Sequence, residues 1–481
     1  MKWELLCPIP EIHRNHKTCK GKVPFSCIIP WVSPIPENGH GRKGTMSNFS
    51  NAVRAFKVMF SDYVEDICRG LSVPDKKLVA DLLFGVLKGG DVLVSDIARA
   101  LNEGNTLDST EVRLTSAMKR FDYAGLDDAI QKRVFGIFSD PYSLAVDESD
   151  IGKEQAKSME GLCTVKDGSK SGEVFHQGYH MTGLVAIGGR KRNPMILCYD
   201  IWSSGSEGFV SSNDQTERIL RKAFLNAGEG KGEISLDRGY DDAKTFDFIA
   251  RYGFGFCIRA RSQRKYIVNG KRMGTDDIAR SRKGKYLQRF IDSEGKEAMA
   301  KCSGFMVTHR DIDGCLMLAM ERFSQTDVRF YITSMADTSR ESVMHAIRLY
   351  RKRWRVEELF RFAKQCFGLE RFMVRNMNAM NVIARAVTMA VNFLTEIAMS
   401  GSLLHDTCRR LYPKFKSQAK REASFETKDR FVLGIYQIKE GLQLLLTHTE
   451  RRPEVKHRDR KKRAVQMTID ECISQESVEK H

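Results

Sequence analysis

The stretch YRKRWRVEELFRFAK, from Tyr350 to Lys364, decides how the rest of the chain is interpreted. If it forms an α-helix, which turns about 100° per residue, four polar side chains fall on one narrow stripe, at about 0°, 300°, 340° and 320°. These side chains are Tyr350, Arg353, Glu357 and Lys364. An apolar face lies beside the stripe and can pack the helix onto a core; it consists of Val356, Leu359, Phe360, Ala363 and Phe367. A carboxylate held among two cations and a phenol predicts a site that binds phosphate and metal together. A plain amphipathic helix with solvated charges is the alternative.

Two other acids end short apolar strands earlier in the chain. YSLAVD ends at Asp147 and EISLD ends at Asp237, whereas Glu148 and Asp150 are expected to be solvated. Asp147 and Asp237 are 90 residues apart, and Asp237 and Glu357 are 120 residues apart, so only the fold can bring the three acids together. Magnesium prefers oxygen ligands, and three carboxylates around one phosphate can hold two ions. One ion would activate the attacking water or 3′-hydroxyl, and the other would stabilise the leaving oxygen.

The pattern between these acids predicts an α/β fold. Apolar alternation and turn residues predict strands at 142–147, 178–187, 194–202, 233–237 and 255–260, with helices at 216–227 and 244–252. Residues 261–334 contain further short strands between Gly, Asp and Ser turns, and they begin with nine cations. A long apolar helix is predicted from Asn378 to Met399.

The spacing Tyr, two residues, Arg, three residues, Glu, six residues, Lys resembles the YREK signature of cut-and-paste DDE transposases of bacterial insertion sequences, in the group numbered family four. Trp354 and the DRGYD segment that starts at Asp237 are also similar to that group. The resemblance covers about residues 140–260 and 335–400. It implies a ribonuclease-H-like catalytic core interrupted by a β-rich insertion, and a Mg²⁺ cofactor with Mn²⁺ as a substitute. The catalytic and metal-binding residues are then Asp147, Asp237 and Glu357.

The same resemblance implies a set of DNA-binding residues: Arg238, Tyr350, Arg353, Trp354 and Lys364. An arginine can bind a phosphate in bidentate fashion. Trp354 either packs in the core or stacks on a base. In some members a tryptophan of the insertion holds a flipped base. The insertion here contains no tryptophan, and the aromatic candidates to replace it are Tyr266, Tyr286 and Phe305.

Composition, pattern and the resemblance together divide the 481 residues into five parts. Residues 1–45 hold six of the eleven prolines and are expected to be a disordered extension. Residues 46–135 are a helical region expected to bind the DNA ends, and 136–260 with 335–400 form the catalytic core. Residues 261–334 are the insertion. Residues 401–481 are a helical C-terminal region with a basic tail, which either contacts DNA or merely solubilises the protein.

The helical region 46–135 has two interpretations. Two short helices joined by a glycine-containing turn at 103–105 resemble a helix-turn-helix, but an ordinary helical bundle fits equally well. In either case Arg113, Lys119 and Arg120 are expected to contact phosphates.

Charge and cysteine content agree with a DNA-binding protein of a reducing compartment. Lysine plus arginine exceeds aspartate plus glutamate by 78 − 61 = 17, which points to an anionic partner such as nucleic acid. The most apolar run, Val382 to Leu404, is interrupted by Arg385 and Glu396, so it predicts a buried helix rather than a membrane span. The twelve cysteines form no CxxC pair, which argues against a zinc ribbon and for a cytosolic protein.

The function implied is transposition of an insertion sequence, with cleavage at terminal inverted repeats and joining to target DNA. The partners are double-stranded DNA and a second copy of the chain, because two ends must be held together. The protein is expected in the cytoplasm, on the nucleoid. The alternatives are a DNA-binding protein that has lost catalysis and a two-metal nuclease without strand transfer.

Overall fold

A computed structural model describes residues 43–138, 142–167, 173–188, 193–228, 232–291, 297–309, 312–412 and 430–448. Most of the N-terminal extension and all of the basic tail at 451–463 lie outside these ranges, so both remain predictions.

The N-terminal part is helical, as the pattern predicts. Its helices are α1 (Lys43–Ile67), α2 (Val73–Gly89), α3 (Val94–Leu101), α4 (Leu107–Arg120) and α5 (Ala124–Ile137). Ser72 caps α2, since its side chain accepts a hydrogen bond from the Asp75 amide. Arg113 on α4 forms 2.9 Å ion pairs with Asp81 and Glu103. The expectation that Arg113 contacts phosphate stays a prediction, and these two carboxylates compete with phosphate for its guanidinium.

A twelve-stranded mixed sheet forms the centre of the molecule. Its first six strands are β1 (Tyr142–Gly152), β2 (Cys163–Lys166), β3 (Phe175–Gly188), β4 (Asn193–Trp202), β5 (Gly232–Leu236) and β6 (Gly255–Arg259). β1 pairs with β5 and β5 pairs with β6 in parallel, whereas β3 is antiparallel to both β1 and β4. The helices between the strands are α6 (Ser212–Ala227) and α7 (Ala243–Arg251). Each predicted strand and helix of this region is present, although the bounds differ and β1 runs past its predicted end, and β2 is an additional strand.

Residues 261–334 extend the same sheet. They form β7 (Lys265–Val268), β8 (Lys271–Gly274), α8 (Thr275–Ser281), β9 (Tyr286–Ile291), β10 (Glu297–His309), β11 (Ile312–Arg322) and β12 (Val328–Thr333). β12 lies antiparallel to β6, so the insertion continues outward from the parallel strands. Its β-rich character is confirmed.

Helices after the insertion cover the sheet. They are α9 (Arg340–Lys352), α10 (Trp354–Cys366), α11 (Met377–Ser400), α12 (Leu403–Leu411) and α13 (Arg430–His448). Among the described residues, α11 is the one helix long and apolar enough to cross a membrane, yet 83% of its apolar stretch is buried in the protein. The side-chain amides of Asn381 and Asn392 on α11 bond both backbone groups of Ile201 and Ile196, at 2.8–3.0 Å. These bonds satisfy the otherwise open edge of β4.

The two charges that interrupt the apolar run of α11 both pair with α5. Arg385 is buried and bonds Asp127 on α5 as well as Asp200 on β4, at 3.0–3.1 Å. Glu396 receives two hydrogen bonds from Arg133 on α5, at 2.6 and 2.8 Å. The N-terminal helices and the sheet therefore share one continuous core.

Candidate active site

Asp147 lies inside strand β1 rather than at its end. The strand continues to Gly152, five residues beyond the predicted end. Its parallel pairing with β5 covers only residues 142–145, however, while its pairing with β3 runs on to Gly152. The predicted end of the strand is wrong, because β3 supplies a partner beyond the point where β5 stops. Asp147 still lies at the edge where the parallel strands end.

Asp237 follows β5 directly, at the same edge of the sheet. It precedes a short 3-10 turn from Arg238 to Tyr240. The Tyr350 hydroxyl donates a 2.8 Å hydrogen bond to its carboxylate. Because parallel strands present their carboxyl ends at one edge, Asp147 and Asp237 lie on neighbouring strands of one site.

The signature stretch is two helices rather than one. α9 ends at Lys352, and Arg353 forms a tight turn before α10 begins at Trp354. The Arg353 amide bonds the Tyr350 carbonyl at 3.0 Å, three residues back, so the turn is tighter than an α-helix. Tyr350 therefore belongs to α9, and Glu357 lies in the first turn of α10. The predicted apolar face of the stretch is buried, as expected.

The Arg353 guanidinium connects two of the three acids. One of its nitrogens bonds the Asp147 carboxylate, and another bonds the Glu357 carboxylate at 2.8 Å. The side chain of Arg353 is 12% exposed. Since Tyr350 bonds Asp237, the structure brings the three predicted acids together with the tyrosine and the arginine of the signature.

Burial and neighbouring charges give the three acids different acidities. Burial raises the pKa of Asp147 to about 6, although the Arg353 guanidinium opposes the shift. Burial also raises the pKa of Glu357, again against Arg353. Burial would raise the pKa of Asp237 too, but the Arg238 amide, the Tyr350 hydroxyl and Arg353 outweigh it and lower that pKa below its ordinary value. Asp237 is thus the most readily ionised acid of the three.

The other predicted DNA-contacting residues lie around this cluster. Arg238 is exposed beside Asp237. Trp354 is 52% exposed, so the interpretation that it packs in the core is wrong. Lys364 donates a 2.6 Å hydrogen bond to the Asp150 carbonyl and forms a 2.8 Å ion pair with the Glu370 carboxylate. Because Asp150 is three residues after Asp147, Lys364 contacts β1 three residues beyond the position of Asp147.

Two acids next to the site have structural partners that the sequence interpretation missed. Glu148 accepts a 3.1 Å hydrogen bond from the Tyr240 hydroxyl, which ties the DRGYD segment to β1. Asp241 of the same segment is fully buried and accepts bonds from the Arg261 amide at 2.7 Å and from Arg264 at 3.0 Å. Glu148 is nonetheless exposed, as expected. Asp150 is only partly exposed, and its carboxylate lies 3.4 Å from the His176 ring nitrogen. The DRGYD motif was the available signal for both Tyr240 and Asp241.

A cationic cleft opens beside Asp237. It has a volume of about 310 Å³, and four arginines line it: Arg238, Arg259, Arg280 and Arg329. Arg259 helps to lower the pKa of Asp237 and is the last residue of β6. The sequence interpretation missed Arg259, although its place at the end of a strand parallel to β5 was the signal. Of the aromatic side chains considered for holding a base, Tyr266 is fully buried and is excluded.

The donor set fits magnesium in its chemistry but not in its present arrangement. Among the described residues, no three acidic, histidine or cysteine side chains are grouped so that they could hold a metal ion. The Arg353 guanidinium pairs with both Asp147 and Glu357. Three carboxylates remain the oxygen donors that magnesium prefers.

Comparisons with known proteins add a family. The family profile described as "Transposase DDE domain" matches residues 138–393, more than half of the chain. The cryo-EM structure of the piggyBac transposase synaptic complex with hairpin DNA is similar over 84% of this chain and 83% of that chain, at 11% sequence identity and a TM-score of 0.42. The comparison with curated protein sequences gave no match.

Proposed function

The chain belongs to the family of transposases that share the DDE domain, and on that premise we propose that it moves an insertion sequence by cut-and-paste transposition. It would cleave DNA at terminal inverted repeats and join the freed 3′ ends to target DNA. The observation that carries the proposal is the meeting of Asp147, Asp237 and Glu357 with Tyr350 and Arg353. The spacing of these signature residues supports the YREK group of family four.

The sheet supports a ribonuclease-H-like core. Its strand order β4-β3-β1-β5-β6, with β3 antiparallel and β1, β5 and β6 parallel, places two acids on adjacent central strands. Glu357 then comes from α10, which packs against β1 and β3. The helical residues 46–135 are proposed to bind the DNA ends.

In the proposed mechanism the three acids hold Mg²⁺, for which Mn²⁺ can substitute. When bound, the metal would stabilise the charge on the attacking and leaving oxygens. Tyr350 and Arg353 orient the acids and then the phosphate, since both can donate hydrogen bonds to phosphate oxygens. The exposed Arg238 and the cationic cleft hold the strand next to the scissile phosphate. Trp354 is exposed and can stack on a base. Lys364, which contacts β1 further along, binds the DNA backbone.

The partners follow from the reaction. Two ends must be cut and joined together, so we propose a dimer assembled on double-stranded DNA, in the cytoplasm and on the nucleoid. Two other functions use the same residues: a DNA-binding protein without catalysis, and a two-metal nuclease that does not join strands.

The test is a reaction of the full chain with DNA that carries both ends of its own element. In Mg²⁺ or Mn²⁺ we expect cleavage at the ends and joined products on a target plasmid, with neither in EDTA. Cleavage without joining would replace the proposal with a nuclease. Specific binding without any cleavage would replace it with a DNA-binding protein.

The insertion is predicted to grip DNA close to the cleavage point, because Arg280 and Arg329 of the insertion line the cleft beside Asp237 and further cations follow Arg280 in the sequence. Changing Arg280, Arg282, Lys283 and Lys285 together to glutamine should weaken binding and reduce the slope of log affinity against log salt by roughly 2–4. All four side chains are exposed. The measurement is fluorescence anisotropy of a labelled end duplex at several salt concentrations.

Lys119 and Arg120, at the exposed end of α4, provide the comparison. Their double change to glutamine should weaken binding to end DNA and to an arbitrary duplex alike, because phosphate contacts carry no sequence information. An insertion variant with an unchanged salt slope would contradict the proposed grip. An α4 variant with unchanged affinity for both duplexes would contradict the expected phosphate contacts of α4.

A further inference from the structure

The Arg353 side chain is held by acids of the site and lies over the Tyr350 ring. It bonds Asp147 and Glu357, and Asp237 also adds to the charge that stabilises its protonated form. Its Nε is buried and has no hydrogen-bond partner among the described residues. A guanidinium in this position neutralises acids that would otherwise repel one another.

We propose that Arg353 is the internal counter-ion of the three-acid cluster in the free protein, and that a divalent cation must displace it. This proposal rests on the proposed function, since it assumes that the three acids hold the metal. The guanidinium and the metal compete because both bind the same carboxylate oxygens. The two cations also repel each other at such short range. Arg353 therefore lowers the metal affinity of the free enzyme.

The displaced guanidinium has a second use. Once released from Asp147 and Glu357, it can bind a DNA phosphate in bidentate fashion. The buried Nε forms no hydrogen bond with the described residues, so movement of the Arg353 side chain breaks no bond at that atom. Arg353 lies at the tight turn between α9 and α10, outside the regular hydrogen bonding of both helices. Metal binding should therefore strengthen DNA binding, and DNA binding should strengthen metal binding by the same factor.

The two roles in which Arg353 is not displaced predict other changes in metal affinity. If the arginine only holds the acids in the right geometry, its loss should weaken metal binding. If it only binds phosphate, its loss should leave metal binding unchanged. If it is a displaceable counter-ion, its loss should strengthen metal binding. The sign of one measured change thus separates the three roles.

The experiment measures Mn²⁺ binding to the DNA-free full chain by electron paramagnetic resonance, at pH 8.5 so that protons compete little. Arg353→Gln should raise the Mn²⁺ affinity at least tenfold and lower the melting temperature in EDTA. Arg353→Lys should give an intermediate affinity, because an ammonium is a single charge without the bidentate fork. Arg355→Gln is the matched control, since Arg355 lies on the same helix but pairs with Glu358 instead.

A second readout uses DNA affinity in Ca²⁺ and in EDTA, so that no cleavage is needed. The wild type should bind an end duplex more tightly in Ca²⁺, and Arg353→Gln should lose most of that difference. Unchanged or weaker Mn²⁺ binding in both Arg353 variants would overturn the counter-ion role. Wild-type Mn²⁺ binding that Glu357→Gln leaves intact would instead overturn the three-acid metal site, and with it the proposed function.

Discussion

Glu357→Gln should abolish DNA cleavage while leaving DNA binding intact. The exchange keeps the size of the side chain and removes the charge that would hold the metal. Losing several kcal/mol of transition-state stabilisation slows a reaction by roughly 10³-fold or more. The rate of nicking of an end duplex in Mg²⁺ measures the effect, and a gel shift in EDTA measures binding.

Glu358→Gln is the control for this variant. Glu358 is the next residue on α10, but it is buried on another face and pairs with Arg355 at 2.8 Å. Its exchange should cost some stability and leave the nicking rate within about threefold of the wild type. A normal nicking rate in Glu357→Gln would remove the acid at the centre of the proposed function.

Arg385→Met should destabilise the whole fold. Arg385 is buried and bonds Asp127 and Asp200, so its loss leaves two buried carboxylates without their main cation. Breaking a buried ion pair on one side costs about 3–5 kcal/mol. Urea unfolding followed by circular dichroism should show a loss of this size in the free energy of unfolding.

Two comparisons test whether the unpaired buried carboxylates cause this loss of stability. Arg218→Gln removes a 62% exposed cation that also pairs with Asp200, and it should cost less than about 1 kcal/mol. Adding Asp127→Asn and Asp200→Asn to Arg385→Met should restore part of the lost free energy, because no unpaired charge then remains buried. A stability of Arg385→Met within about 1 kcal/mol of the wild type would contradict this account.

Much of the fold could be predicted because its elements follow local rules. The strands around Asp147 and Asp237 show apolar alternation and end at turn residues, and α11 shows a long apolar run. The strand end after Asp147 was wrong for a non-local reason. The continuation of β1 to Gly152 depends on β3, thirty residues away, and no local pattern reports that partner.

The candidate site shows the same division. Periodicity placed Glu357 and Arg353 near each other and correctly buried the apolar face of α10. It did not predict the break at Arg353, since the backbone of that residue is still helical and only its hydrogen bonding changes. Nor could spacing show that the guanidinium binds the acids. That contact depends on how closely α10 approaches β1, which is a property of the packed core.

The ion pairs between α5 and α11 set a rule for exchanging parts between relatives of this protein. A chimera that replaces the N-terminal helices must keep α5 with the sheet and α11. Otherwise Arg385 would lose its ion pair with Asp127, and Glu396 would lose its ion pair with Arg133. The natural junction is the short segment between α4 and α5, at residues 121–123. Even there, the donor must tolerate Asn378, whose amide caps the carboxyl end of α4 through the carbonyls of Met118 and Phe121.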